Sequence, residues 1–141
     1  MFWDSSALVP LLLKEPRSGR LTEMLVADKE VVIWWATPLE CQSAIYRRHR
    51  AAPLSAQTMR DLNDRLRAFV EHASTVAPTD EVRRRAARLL AGHPLRAADA
   101  LQLAAALAWC EEQPHNEVFV SLDERLSLAA RKEGFDVGPG S

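Results

Sequence analysis

Cysteine is almost missing from this chain: among 141 residues there are two, Cys41 and Cys110, far apart and without C-x-x-C spacing. That argues against a disulfide framework and a thiolate metal site, and fits a reducing compartment with both thiols as small core residues. Long apolar runs are missing too. The longest, Ala97 to Trp109, is broken by Asp99 and Gln102 and falls short of the roughly 20 residues a bilayer needs. Asp4 arrives before any signal-peptide apolar core could form, so a cytoplasmic protein without membrane contact is expected. Neither sign of charge dominates, with 18 Lys and Arg against 19 Asp and Glu, and a net charge of −1 gives no global signal for nucleic acid. Repeats, linkers and low-complexity tracts are absent. A 48% hydrophobic, 26% charged chain of this length is expected to fold as one domain over residues 1–137, with G-P-G-S at 138–141 as a flexible tail.

Lysine is scarce where arginine is not: 15 of the 18 basic residues are arginine, clustered as R-R-H-R at Arg47 to Arg50 and R-R-R-A-A-R at Arg83 to Arg88. Such clusters serve either as solvated helix faces or as phosphate-binding patches, and charge alone does not decide between them.

The pattern of the remaining residues alternates short strands with helices. Met1 to Asp4 reads as a strand running into a helix capped by Ser5 or Ser6, and Leu21, Met24 and Leu25 mark a second short helix ending near Asp28. Val31 to Trp35 is a run of β-branched and aromatic residues typical of a strand covered on both faces. Thr37-Pro38 opens a helix with Glu40 in its first turn, and a long helix to about His72 pairs with it. A third strand is expected at Thr75 to Ala77, and a helix capped at Thr79 runs to Leu90. The most buried helix is expected from Arg96 to about Glu112, a fourth strand at Val118 to Val120, a helix from Asp123 that stops at Gly134, and a last strand at Phe135 to Val137. This alternation implies an α/β domain in which helices cover both faces of a mostly parallel sheet.

Four acids stand among apolar neighbours: Asp4, Glu40, Asp99 and Asp123. Buried carboxylates are rare unless paired, protonated or metal-bound. In a parallel sheet, ligands gather beyond the carboxyl ends of the strands, and Asp4, Glu40 and Asp123 each follow a predicted strand. Asp99 reaches the same edge if its helix starts there. At roughly 6 Å spacing and an effective dielectric of 20, each like-charge pair costs about 3 kcal/mol, so four such groups need shared protons or a divalent cation. Oxygen-only ligation suits Mg²⁺ or Mn²⁺ rather than zinc. Structural duties compete with this reading: Asp123 as a helix cap, Asp99 as a first-turn acid facing a helix dipole, and Glu40 as half of a T-x-x-E capping box with Thr37.

D-S-S-A-L near the start, an acid in the helix after the second strand, L-R-A-A-D-A-L-Q-L-A-A-A-L and F-V-S-L-D-E-R-L resemble the acidic motifs of PIN-domain ribonucleases, nearest to the VapC-type toxins of toxin–antitoxin pairs. The resemblance spans essentially the whole chain and implies a single three-layer PIN-like domain. It implies catalytic, metal-binding roles for Asp4, Glu40, Asp99 and Asp123, with Mg²⁺ as cofactor and Mn²⁺ as substitute. Ser6 matches the hydroxyl two residues after the first Asp, and Ser121 stands where the family often has Thr. The implied activity is an endoribonuclease leaving 5′-phosphate and 3′-hydroxyl ends. Implied partners are RNA, a cognate VapB-type antitoxin lying across the groove, and a second copy in a homodimer. A site this acidic repels RNA, so nearby arginines are expected to hold the strand or meet the antitoxin: Arg96 first, then Arg47, Arg48 and Arg50. A haloacid-dehalogenase-type phosphotransferase needs a second acid where this chain has Ser6, and a receiver domain needs a late lysine at the sheet edge. A catalytically inactive PIN fold that only binds protein is the remaining alternative.

Overall fold

A computed structural model describes residues 1–140, and Ser141, the last residue of the expected tail, lies outside that range. Five short strands form one sheet: β1 (Phe2–Trp3), β2 (Val32–Trp34), β3 (Ser74–Val76), β4 (Val118–Val120) and β5 (Asp136–Gly138). They lie in the order β3-β2-β1-β4-β5, and every neighbouring pair is parallel, so the expected mostly parallel sheet is wholly so. Parallel neighbours require crossovers, which the chain supplies as seven helices: α1 (Ser5–Leu12), α2 (Gly19–Ala27), α3 (Thr37–Ala51), α4 (Ala56–His72), α5 (Asp80–Gly92), α6 (Ala97–Trp109) and α7 (Glu124–Glu133). A 3-10 turn at Pro16–Ser18 precedes α2.

Alternation along the strands builds two cores. Phe2, Val32, Trp34 and Phe119 face a cluster fed by α5, α6 and α7, while Trp3, Ile33 and Val120 face one fed by α1 to α4. On the first face Phe119 stacks on Phe2, with ring centroids 5.4 Å apart, and lies 5.7 Å from Phe135. The run A-L-Q-L-A-A-A-L makes α6 the most buried helix, with seven of its thirteen residues out of solvent. Its alanines let α5 and the sheet approach closely, as the near-continuous apolar pattern implied.

Local chemistry sets most boundaries. Ser55 and Thr79 cap α4 and α5, their hydroxyls accepting from the backbone N–H of Thr58 and Val82. Gly134 takes the left-handed conformation, φ 111°, that closes α7. Several boundaries shift: β3 lies one residue earlier than expected, α6 stops at Trp109 rather than near Glu112, and β5 starts at Asp136 rather than Phe135. The cap of α1 is Asp4 rather than Ser5 or Ser6, and β5 extends one residue beyond Val137. Gly138, assigned by sequence to the tail, is buried beside β4, where its carbonyl accepts from Ser121 N–H at 2.9 Å.

From β1 the chain winds outward through β2 to β3, returns through α5 and α6, and winds outward again from β4 to β5. Strand order therefore reverses between β1 and β4, which opens a crevice beyond their carboxyl ends. Asp4 follows β1 directly, and Ser121 and Asp123 follow β4.

Candidate metal centre

Asp4 is 3% exposed and held by a closed set of hydrogen bonds. Its Oδ2 accepts from the Ser6 hydroxyl at 2.5 Å, the Ser121 hydroxyl at 3.0 Å and the Ser6 N–H at 3.3 Å. Each hydroxyl has one proton, and both point to Asp4, because Ser6 Oγ accepts from Leu122 N–H and Ser121 Oγ accepts from Asp123 N–H. The first residues of α1 and the turn after β4 are thus stitched together through one carboxylate oxygen. Oδ1 is left with a 3.5 Å contact from the Ser5 hydroxyl. Burial raises the pKa of Asp4, its serine partners lower it, and the charge of Asp99 raises it further.

Glu40 lies in the first turn of α3. The capping box with Thr37 does not form: Ala36 is the capping residue, and Thr37 has other work. Thr37 Oγ1 accepts from Trp34 N–H at 3.2 Å and from Gln102 Nε2 at 3.1 Å. Gln102, fully buried in α6, also donates from Nε2 to Glu40 Oε1 at 2.9 Å, and Ser5 Oγ donates to Glu40 Oε2 at 3.3 Å. Burial, followed by the charge of Asp4, pushes the Glu40 carboxyl up to about 6 against the opposing pull of Gln102 and Ser5.

Asp99 sits in the first turn of α6, where burial and then the charge of Asp123 raise its pKa, while the backbone of Arg96 and the guanidiniums of Arg96 and Arg125 lower it. Asp123 does cap α7, its Oδ1 accepting from Leu126 N–H at 2.9 Å. Capping engages one carboxylate oxygen and leaves the other free.

All four acids, with Ser5 and Ser6, line one cavity of about 400 Å³. The fold therefore brings them to a single place. It does not clamp them together: among the described residues no three His, Cys, Asp or Glu side chains are already disposed to hold a metal ion. Glu40 leans instead on Gln102, and Asp123 on its own helix. The donor chemistry still fits a hard divalent cation, being oxygen-only and over-charged for its burial.

A second cavity, of about 800 Å³, adjoins the first and shares Arg47, Asp99 and Asp123 with it. Arg96 and Arg125 line it as well. Of the other expected contacts, Arg48 turns to the Ala52 carbonyl at 2.8 Å, and Arg50 lines a separate hollow with Leu39 and Tyr46. Sequence reasoning missed Ser5, Thr37, Gln102 and Arg125. A polar break in an apolar helix marked Gln102, but nothing local named its partners.

No curated protein matches the chain. Among solved structures it resembles PAE2754 from Pyrobaculum aerophilum, with 21% identity, TM-score 0.62, and 96% of this chain and 87% of that one covered. It also resembles FitAcB from Neisseria gonorrhoeae, with 18% identity, TM-score 0.63, and 96% and 94% covered. Identities this low speak to the shared fold alone. The PIN domain model matches residues 1–132, nearly the full length and a span that contains the four acids, and the chain therefore belongs to the PIN-domain family, whose members are generally metal-dependent nucleases.

Proposed function

We propose that this protein is a metal-dependent endoribonuclease and the toxin of a type II, VapC-type toxin–antitoxin pair. The observation that carries the nuclease reading is the delivery of Asp4, Glu40, Asp99 and Asp123 from separate elements to one cavity at the β1–β4 crevice. These four residues would hold Mg²⁺, or Mn²⁺ in its place. When bound, the cation acidifies a water and offsets charge developing on a phosphodiester.

The chain's own residues set the stage. Ser6 and Ser121 fix Asp4 so that Oδ1 is the oxygen left for a cation. Gln102 and Ser5 aim the two oxygens of Glu40. Asp123 keeps one oxygen on its helix and offers the other. Arg47 stands at the rim with its guanidinium available to an incoming phosphate.

The test is cleavage of RNA by pure protein with and without Mg²⁺ or Mn²⁺, compared with Asp4→Asn and Asp99→Asn. Each variant is expected to lose about 100-fold or more in rate. Equal rates in all three proteins would end the proposal. An inactive, protein-binding PIN fold is the second reading, favoured by the absence among the described residues of a preassembled ligand cluster. It predicts no metal-dependent cleavage at all.

The toxin label rests on the motif resemblance. It brings a VapB-type antitoxin and a homodimer, for which Leu39 and Tyr46 supply exposed apolar area beside Glu40, and Trp35 is exposed as well. No helix in the described residues is long and apolar enough to cross a membrane, and the proposed location is the cytoplasm. Relief of growth arrest by a co-expressed small neighbouring reading frame tests the pairing.

A further inference from the structure

We infer that His93 and Glu133 are positioning residues for the acidic cavity: their hydrogen bond braces the far end of α7 against the turn that leads into α6, and so sets the spacing of Asp99 and Asp123. The inference deepens the metal-site reading and rests on it. His93 lies in the turn between α5 and α6, and Glu133 is the last residue of α7. Their side chains are 8% and 18% exposed, and His93 Nε2 stands 2.8 Å from Glu133 Oε2. A carboxylate can only accept, so Nε2 carries the proton. Arg88 of α5 adds a longer contact to Glu133 at 3.4 Å.

Two of the four acids sit where this contact leads. Asp123 caps the start of α7, and the helix carries its position about 15 Å along to Glu133. Asp99 follows His93 by six residues, in the first turn of α6. Pro94, whose ring restricts the backbone beside His93, lines the larger cavity together with Asp99 and Asp123. The turn, the start of α6 and the start of α7 therefore face one hollow, and the His93–Glu133 bond closes the loop at the other end of α7. Little else fixes α7 lengthwise. It buries Leu126 with Ser127, Ala129 and Ala130, one large apolar side chain and three small ones. Small side chains make shallow ridges that resist sliding and tilting poorly. Phe135 packs near Phe119, but left-handed Gly134 separates that anchor from the helix. Among the described residues, Glu133 makes the only side-chain hydrogen bonds from α7 to another element, and His93 makes the only one from the α5–α6 turn. Arg85, by contrast, pairs with Glu81 and Glu112 and ties α5 to the segment after α6. Ligands already held in place lose less freedom when a cation arrives, so a brace on α7 shows in affinity for the ion.

The experiment measures Mn²⁺ affinity of the full chain by calorimetric titration, and backbone amide exchange of the same proteins in EDTA by mass spectrometry. His93→Ala and Glu133→Ala are expected to bind Mn²⁺ at least about fivefold more weakly than wild type. The double variant should bind no more weakly than Glu133→Ala, because the two substitutions break one contact. His93→Gln keeps an N–H donor at similar reach and is expected to hold affinity within about twofold of wild type. Arg85→Ala removes the pairs with Glu81 and Glu112 and is expected to lower the melting temperature without changing Mn²⁺ affinity. In EDTA, the amides of Leu126 and Ser127, next to Asp123 and remote from the substitutions, should exchange faster in His93→Ala and Glu133→Ala than in Arg85→Ala. Wild-type affinity in both alanine variants, equal weakening by Arg85→Ala, or weak binding by His93→Gln overturns the brace and leaves the metal site standing. If wild type takes up no Mn²⁺, the metal reading falls and exchange alone decides. Faster exchange at Leu126 and Ser127 in the two alanine variants then upholds the brace, and unchanged exchange overturns it.

Discussion

Asp4 and Glu40 are neighbours in the cavity but are supported in opposite ways. Asp4 is fixed by hydroxyls within two residues of it and by Ser121 across the crevice. Glu40 depends on Gln102, 62 residues away. Gln102 serves half-buried Glu40 and buried Thr37 at once, and its loss takes a hydrogen-bond partner from each. Gln102→Ala is expected to lower unfolding free energy by about 1–3 kcal/mol in chemical denaturation. If the nuclease reading holds, it also lowers the cleavage rate by about 10–100-fold, the usual cost of losing an outer partner of a metal ligand. Unchanged rate with reduced stability would make Gln102 a core residue only. The carboxylates themselves were legible in the sequence, because an acid amid Phe, Trp, Val or Leu has few innocent explanations. Their partners were not, because a glutamine in an apolar helix announces a buried polar contact without saying with what.

At the scale of elements, α7 carries two demands on one side chain. Asp123 caps the helix through Oδ1 and lines the acidic cavity, so the capping and metal-site readings are both compatible with the geometry. Two substitutions separate them. Asp123→Asn preserves a capping oxygen and removes the charge, so thermal unfolding should stay close to wild type while nuclease activity falls. Asp123→Ala removes both and should cost a further ~1 kcal/mol of stability. Equal stability of the two variants would show that the cap contributes nothing. Helix boundaries followed from local signals wherever no distant group competed, as at Ser55, Thr79 and Gly134. Thr37 departs because Trp34 N–H and buried Gln102 claim its hydroxyl, and such tertiary claims are invisible to a T-x-x-E pattern. At α1 the cap moved one residue, to Asp4, because the carboxylate that ends β1 is also the nearest acceptor for Ser6 N–H.

For the whole molecule, strand order β3-β2-β1-β4-β5 places the acids together and makes the metal-free fold bear their repulsion. Asp4, Glu40 and Asp99 all have raised pKa values. A carboxyl whose pKa rises on folding binds protons more tightly in the native state, so stability falls as pH climbs through the interval between the two values. For Glu40 that interval runs from 4.5 to about 6. The full shift corresponds to about 2 kcal/mol, and contact of Glu40 with water screens this to about 1 kcal/mol. Glu40→Gln retains the Gln102 contact and removes the titration. In EDTA its unfolding free energy should match wild type near pH 4 and exceed it by about 1 kcal/mol at pH 7. Added Mn²⁺ or Mg²⁺ offsets the same repulsion in the folded protein alone, so the wild-type melting temperature at pH 7 should rise with cation concentration. Asp99→Asn should start higher in EDTA and respond less. A wild-type melting curve indifferent to both cations, with Glu40→Gln no more stable than wild type at pH 7, would mean that the four acids do not share one electrostatic site.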